Sequence, residues 1–386
     1  MKKIIFLLTA LLLLCACQKQ TPEVFDYEET VFDTSYVHEI DILIKKSDYK
    51  DLLADPTAKT KYTADVVLDG QKYEEVSFST KGNSSLYFVA DQGSDRFSYK
   101  INFSKNRKDQ TCHGLDKLNL NNLFKDASYM KDYLSYDIYR SLDVPAPLCA
   151  YCVVKINGRE HGLYAMVEDV DNSFLKRTWN SEGILYKPEA DLELDMEQIQ
   201  QINENGLDLD AAVNGADLIY QDEDLSSYSD IFDNNVNSSE EEDQKRLIDA
   251  LKGLIENKEL DKHLHTDEII RYFAVQTYLL NYDGYIGPML HNYFLHENHV
   301  QLSLIPWDYN SAFLTFGILI QPKSQEEITR LINTGIDTPL LLTNEEDRPI
   351  WKWIQENESY RNLYHDALAK LIETCHDSGR FEKNDR

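Results

Sequence analysis

Glycine, proline and basic residues are all scarce in this sequence of 386 residues. It has 15 glycines and 10 prolines, and its mean hydropathy is −0.48. These values argue against collagen-like, low-complexity and polytopic membrane proteins. Lysine and arginine number 39 against 67 aspartates and glutamates, so the formal net charge is −28. A chain this acidic repels phosphate backbones, which argues against a nucleic-acid-binding protein.

Several common catalytic and metal motifs are also missing. The sequence has no GxxxxGK[ST] loop, no GxSxG elbow and no GxGxxG fingerprint. The stretch from His296 to His299 is one residue short of HExxH and falls in a predicted turn. Cys149 and Cys152 have CxxC spacing, but they lie on a predicted strand, where a three-residue offset places side chains on opposite faces. Neither pair is therefore interpreted as a metal or redox site.

The first residues are predicted to be a lipoprotein signal peptide, residues 1–16. Lys2 and Lys3 precede an apolar run that is too short to span a bilayer. The run ends in Leu-Cys-Ala-Cys17, which resembles a bacterial lipobox, so Cys17 is the predicted lipidation site. An ordinary secretory signal cleaved nearby is the alternative, and it would also export the protein. Residues 17–35 are then a tether, and the lipid alone holds the protein on the outer side of the membrane.

The rest of the chain divides by pattern into three parts. Residues 36–180 are predicted to be mainly β, with Asp69-Gly70 and Asn157-Gly158 as hairpin turns and one helix from about 127 to 142. Residues 181–245 are an acidic insert whose charge runs lack EF-hand spacing. Residues 246–386 are predicted to be mainly helical. The expected helices are 244–256, 266–282 and 350–374, and a short hairpin is expected at 293–305.

The most informative stretch is residues 281–310. A helix end is followed by Asp283 in a loop rich in glycine and proline, then by Asn292, a short hairpin and Asp308. Protein kinases have a catalytic aspartate, a metal-binding asparagine and a metal-binding aspartate in this order. A short hairpin would bring both loops to one place. On the pattern alone, a capping role for Asp283 and a structural bend at Asp308 remain open.

Eight short motifs in the same order strengthen this interpretation. They are residues 81–85 (KGNSS), 97–100 (FSYK), 117–122 (KLNLNN), 144–147 (VPAP), 157–168 (NG, GLY and VE), 281–283 (NYD), 291–293 (HNY) and 305–308 (IPWD). Together they resemble the CotH family of spore-coat kinases, which are atypical protein kinases. The resemblance covers most of residues 36–375. It implies an α+β, two-lobed, protein-kinase-like fold with a β-rich N-terminal lobe and a mainly helical C-terminal lobe.

The resemblance also implies site residues and cofactors. Asp283 corresponds to the catalytic aspartate, and Asp308 and Asn292 to the ligands of Mg²⁺ or Mn²⁺. Lys100 is expected to contact the ATP phosphates, and Glu168 to orient that lysine. Lys81, Asn83 and Ser84 are expected in a loop that covers the phosphates. Two positions depart from the family pattern. Lys81 replaces the usual arginine. The family often has the sequence Ala-Phe-Gly soon after the metal-binding aspartate, and here Leu314 replaces its glycine.

The function implied is an exported kinase that transfers the ATP γ-phosphate to Ser or Thr of secreted or surface proteins. The alternative is a kinase-like surface module for binding or adhesion, because a protein outside the membrane meets little ATP. Fold alone does not decide between them. A glycan-degrading enzyme is a third interpretation, supported only by the many carboxylates and aromatic residues.

Overall fold

The computed structural model describes residues 25–180, 183–189, 215–256, 260–298, 301–316 and 324–380. The signal peptide and the lipidation site Cys17 therefore lie outside the described residues, and so does part of the acidic insert. Among the helices within these ranges, none is both long enough and apolar enough to cross a membrane.

Seven strands of the N-terminal half form a closed barrel. They pair in the order β1-β2-β3-β4-β5-β7-β6, and β1 and β6 close the barrel by parallel pairing. The predicted turns Asp69-Gly70 and Asn157-Gly158 connect two of the hairpins, and all four residues have positive φ, as tight hairpin turns require. The strands are β1 His38–Ile44, β2 Tyr62–Leu68, β3 Gln71–Lys81, β4 Ser98–Asn102, β5 Lys117–Asn121, β6 Cys149–Ile156 and β7 Arg159–Glu168.

A second, three-stranded antiparallel sheet and most of the helices follow the barrel. The sheet consists of β8 Ile184–Tyr186, β9 Tyr293–Glu297 and β10 Leu302–Pro306, so the predicted hairpin near 293–305 is confirmed. The helices are α1 Tyr27–Thr30, α2 Lys46–Ala54, α3 Ser84–Asp91, α4 Lys131–Ser141, α5 Asn172–Trp179, α6 Ser229–Phe232, α7 Glu241–Glu256, α8 Leu260–His263, α9 Thr266–Tyr278, α10 Gln325–Ile332, α11 Pro349–Glu356 and α12 Glu358–Ile372.

The prediction of a two-lobed, kinase-like fold is wrong, although the class is α+β. The N-terminal sheet closes into a barrel, and part of its outer face packs against the core of the helical part. Cys149, Ala165 and Val167 on β6 and β7 belong to the same buried cluster as the residues of α7, α9, α11 and α12. The barrel interior is a separate cluster that contains Cys152. The two cysteines thus lie on opposite faces of β6, as the alternation predicted.

Of the helix boundaries that differ from the prediction, two have a clear local cause. The carboxylate of Asp126 accepts hydrogen bonds from the backbone N–H groups of Ser128 and Lys131, so a turn comes first and α4 begins at Lys131. The single helix expected at 350–374 is interrupted at Asn357. The side chain of Asn357 accepts hydrogen bonds from the N–H groups of Ser359 and Tyr360 and caps α12.

Candidate functional site

One outer face of the barrel is polar and faces the helical part of the chain. The register pairs Lys100 on β4 with Ser79 on β3 and with Asn119 on β5, so these side chains share a face. Lys81 and Asn121 lie two residues farther along their strands and point the same way. Lys81 Nζ donates to Asn121 Oδ1 at 2.8 Å and lies 5.4 Å from the centre of the Trp307 ring.

A pocket opens beside Lys81, where the barrel meets the loop that follows β10. Burial lowers the pKa of Lys81, and the negative charge of Asp308 partly opposes that shift. Lys81 and Asp308 are both only partly buried, so a charged ligand in the pocket could contact both side chains. The lining residues include Lys81, Gly82, Ser85, Asn121, Lys125, Asp132, Asp308 and Asn310.

Asp308 is held in an unusual backbone conformation at this pocket. Its φ is +51°, and its N–H donates to the Tyr136 hydroxyl at 3.0 Å. The side-chain amide of Asn310 donates to Asp308 Oδ1. Burial raises the pKa of Asp308; the Lys81 charge opposes that shift and the Asp283 charge adds to it. Asp283 and Asp308 are therefore close enough for their charges to interact, as their order in the sequence predicted.

Asp283 forms an ion pair with a histidine of its own loop. Asp283 Oδ1 lies 2.7 Å from His291 Nε2. Burial alone would lower the pKa of His291, but the charge and hydrogen bond of Asp283, together with the charges of Glu189 and Asp308, raise it on balance. Asn292, which has φ +60°, donates from Nδ2 to the Asp283 carbonyl at 3.0 Å, and its own carbonyl accepts from the Trp307 N–H at 3.1 Å. Asn292 thus connects the loop of Asp283 to the residue before Asp308.

The sequence analysis missed Asp132, a fully buried carboxylate at the first turn of α4. Asp132 Oδ1 accepts from the Tyr309 N–H at 2.9 Å, and Oδ2 accepts from Asn121 Nδ2 at 3.0 Å. Burial, with the nearby Asp308 charge as a second cause, raises the pKa of Asp132 to about 6. A signal was present, because Asp132 shares one face of the predicted helix with the apolar side chains of Tyr136 and Tyr139.

The expected pairing of Lys100 with Glu168 is wrong by one residue. Lys100 Nζ lies 2.8 Å from Asp169 Oδ2 and 3.0 Å from Oδ1. Glu168 points to the other face of the chain, where both of its oxygens bind Arg177 and also accept from the Tyr27 hydroxyl and the Leu148 N–H. Successive side chains on a strand alternate between faces, so only Asp169 can reach Lys100.

The segment expected to cover the phosphates is the start of a helix. Lys81, Gly82 and Ser85 line the pocket, whereas Asn83 and Ser84 are exposed at the start of α3. Asn83 Oδ1 accepts from Lys59 Nζ at 2.5 Å, and Asn83 Nδ2 donates to Glu189 at 3.4 Å. Asn83 therefore contacts charged residues beside the pocket instead of lining it.

Leu314 stands where the family pattern often has glycine, and the backbone keeps the conformation that glycine favours. Phe313 and Leu314 have φ values of +59° and +58°. Their N–H groups donate to the carbonyls of Leu279 and Leu280 at 2.6 and 3.3 Å. The left-handed conformation costs a residue with a side chain roughly 1–2 kcal/mol. Leu314 therefore adopts a backbone conformation that glycine would adopt without this cost.

The donor atoms at the pocket suit a hard cation, but they do not enclose one by themselves. Asp308 and Asn310 offer carboxylate and amide oxygens, the ligands that Mg²⁺ prefers. Asn292 could add only Oδ1, since its Nδ2 binds the Asp283 carbonyl. Within the described ranges, no three side chains of His, Cys, Asp or Glu converge as a metal-binding group. Further ligands would have to come from phosphates and water, as is usual for Mg²⁺.

Comparisons with known proteins agree with these observations. A family model described as "CotH kinase protein" matches residues 78–384. Inner spore coat protein H of Bacillus subtilis (strain 168) is 25% identical over 280 residues, which are 71% of this chain and 67% of that protein. The matched region begins within β3 and contains Lys81, Lys100, Asp132, Asp283 and Asp308.

Proposed function

Because this chain belongs to the CotH kinase protein family, we propose that it is an ATP-dependent protein kinase. The proposed reaction transfers the γ-phosphate to a Ser or Thr hydroxyl of a secreted or surface protein. Phosphoryl transfer depends on positioning and on charge neutralisation more than on covalent chemistry. Its requirements are therefore cations for the phosphates, carboxylates for a metal, and one carboxylate for the acceptor hydroxyl.

The observation that carries the proposal is the meeting of lysine and aspartate side chains from distant parts of the chain at one pocket. Lys81 and Asp308 both line it, and the charge of Asp283 acts on Asp308. Lys100 is close enough for its charge to act on Lys81. In the proposed assignment, Lys81 and Lys100 contact the phosphates.

Asp308 would hold Mg²⁺ or Mn²⁺, with Asn310 and Asn292 as candidate oxygen donors. The cation supplies charge neutralisation between the carboxylates and the phosphates. The acceptor hydroxyl is proposed to donate its proton to Asp283. His291 holds one oxygen of that carboxylate at 2.7 Å, which leaves the second oxygen to receive the hydroxyl.

The proposed location is the cell envelope. Lipidation of Cys17 would attach the protein to the outer side of a bacterial membrane, with no contact to nucleic acid. The relative in B. subtilis is named an inner spore coat protein, which is compatible with a place in an outer cell layer. The partners are then exported proteins with Ser or Thr acceptors.

A catalytically weak binding or adhesion module is the second candidate. The ion pair between Asp283 and His291 favours it, because His291 already occupies one oxygen of the carboxylate that a kinase would use for the acceptor hydroxyl. Both candidates keep the fold and the pocket, so activity itself must separate them.

Incubating the purified protein with γ-labelled ATP, Mg²⁺ or Mn²⁺ and a panel of exported proteins tests the proposal. Metal-dependent transfer of label to Ser or Thr is expected. The Asp283→Asn and Asp308→Ala variants are the matched negative controls. A wild-type protein that transfers no label with either metal would favour the binding module.

A further inference from the structure

A buried glutamine connects the two loops that carry the proposed catalytic residues. Gln276 lies in the last turn of α9 and is fully buried. Its Nε2 donates to the Asn281 carbonyl at 2.8 Å, two residues before Asp283. Its Oε1 accepts from the hydroxyl of Tyr309, the residue after Asp308. One amide group thus binds the Asp283 loop on one side and the Asp308 loop on the other.

A third element completes this network. The Tyr139 hydroxyl on α4 donates to Gln276 Oε1 at 2.9 Å and lies 2.5 Å from the Tyr309 hydroxyl. Tyr139 and Tyr309 are fully buried, and their rings meet edge to face with centroids 5.4 Å apart. The contacts therefore lie in a buried, closely packed interior, where an unmatched polar group is costly.

The orientation of the Gln276 amide follows from its partners. The Asn281 carbonyl can only accept, so it requires the NH₂ end of the amide. The two tyrosine hydroxyls then donate to Oε1. Rotating the amide by 180° would place Oε1 against the Asn281 carbonyl, with two acceptors facing each other. The Asn281 carbonyl alone therefore fixes the orientation of the amide, because a tyrosine hydroxyl could either donate to Oε1 or accept from the NH₂ group.

Gly284 provides an independent indication that this amide is closely enclosed. A Cβ added at Gly284, the residue after Asp283, would lie 2.5 Å from Gln276 Nε2. The Asp283 loop therefore passes directly over the amide, and a side chain at position 284 would displace it.

We propose that Gln276 is a positioning residue that fixes the loops of Asp283 and Asp308 relative to each other. The catalytic meaning of this role rests on the proposed function, whereas the structural connection does not. Asp308 has anchors besides Gln276, because Tyr136 holds its N–H and Asp132 holds that of Tyr309. Asp283 likewise keeps its contacts with His291 and Asn292. Loss of the Nε2 donor removes a contact of the Asp283 loop and none of the Asp308 loop, so it should reduce kcat more than nucleotide affinity.

The test compares Gln276→Glu with Thr277→Val. Gln276→Glu keeps the size and the acceptor for the tyrosines, and in its ionised form it removes the donor to Asn281; the comparison is therefore made at alkaline pH. Thr277 is the next residue of α9; it is buried and accepts from the Tyr364 hydroxyl at 3.0 Å, away from the pocket. Tyr139→Phe is a milder second variant, which removes one donor to Oε1 and leaves both loop sequences unchanged.

Hydrogen exchange of the nucleotide-free protein measures how firmly Gln276 connects the two loops. Steady-state kinetics measure the effect of that connection on catalysis. In Gln276→Glu, exchange over residues 279–287 should be faster by roughly tenfold, the size expected for one lost buried hydrogen bond. Tyr139→Phe should change exchange in the same direction over residues 307–316, and Thr277→Val should change neither segment. In an active enzyme, kcat of Gln276→Glu should fall by about tenfold or more, while the Kd of the metal–nucleotide complex shifts by less than about threefold.

The outcomes separate this inference from the proposed function. Faster exchange in Gln276→Glu, with no phosphoryl transfer by the wild type, would support the connection and contradict the kinase assignment. Unchanged exchange in both segments of both Gln276→Glu and Tyr139→Phe would overturn the connection, whatever the wild type does. Equal losses of kcat in Gln276→Glu and Thr277→Val would show general destabilisation and would also overturn it.

Discussion

The Lys100 ammonium group binds both oxygens of the Asp169 carboxylate, at 2.8 and 3.0 Å. Asp169 also accepts from Asn119 Nδ2 at 2.9 Å and is buried, whereas Lys100 remains partly exposed. Burial alone would raise the pKa of Asp169, but the charges of Lys100 and Lys117, together with the hydrogen bonds from Asn119 and Lys100, lower it on balance. Asp169 thus stays charged and directs Lys100 along the barrel face that leads to the pocket.

Neutralising Asp169 and neutralising Glu168 should have different effects. Asp169→Asn removes the charge that orients Lys100, so the nucleotide Kd should rise by roughly tenfold, the value of one charge-assisted contact. Glu168→Gln leaves Arg177 without its buried partner and should cost about 3 kcal/mol of unfolding free energy, with little change in Kd. Calorimetry and urea unfolding measure the two effects. A larger loss of affinity in Glu168→Gln would contradict this division.

Nucleotide binding should depend on a divalent cation and on Asp308. A triphosphate facing Asp308, Asp132 and Asp283 without a metal would be repelled. At about 100 times Kd, ATP with Mg²⁺ should stabilise the wild type by ~2.7 kcal/mol, which a thermal-shift assay detects. Asp308→Ala should lose the metal-dependent part.

Asp366→Ala, on the exposed side of α12, is the control and should keep the full shift. Equal shifts with ATP in wild type and Asp308→Ala would remove Asp308 from the site.

The buried carboxyl of Asp132 should make stability depend on pH. Its pKa is raised to about 6 in the folded state, above the ordinary value of about 3.9. The folded protein therefore binds the proton more tightly than the unfolded chain, and the resulting stability is lost as pH rises through about 6. From pH 5 to pH 7, Asp132→Asn should gain on the order of 1 kcal/mol relative to the wild type. Urea unfolding at both pH values measures this, and a difference independent of pH would contradict it.

Export and anchoring depend on Cys17 in the proposed function. Cys17→Ser should move the protein from the membrane fraction to the soluble exported fraction, because the lipid chains would be absent. Mass spectrometry of the wild-type N-terminus should find a lipidated Cys17. An intact Met1 or an unmodified cysteine would contradict the lipoprotein prediction.

Local signals in the sequence identified the features that depend on local structure. Asp69-Gly70 and Asn157-Gly158 predicted two hairpins, because tight turns need residues that tolerate positive φ. Closure of the barrel was missed, since it depends on parallel pairing of β1 with β6. More than a hundred residues separate those strands, and no pattern within either one specifies its partner.

The residues of the candidate site also divide into those that local sequence order indicates and those that depend on long-range contacts. Asp283, Asn292 and Asp308 could be proposed from their order around one hairpin. Asp132 and Gln276 could not, because their roles arise from contacts with residues far away in the chain. Asp169 could have been predicted as the partner of Lys100, because strand alternation places Asp169, and not Glu168, on the face of Lys100.

The kcat of Asp283→Asn tests the role of Asp283 as the catalytic base more directly than any other measurement. Asparagine keeps the size of the side chain and most of its hydrogen bonding but cannot accept the proton of the acceptor hydroxyl. We predict a loss in kcat of at least about 10²-fold with little change in the ATP Kd, because general-base catalysis contributes roughly 10²–10⁴-fold and acts in the transition state. A folded Asp283→Asn protein that transfers phosphate at the wild-type rate would contradict the assignment of Asp283 as the catalytic base.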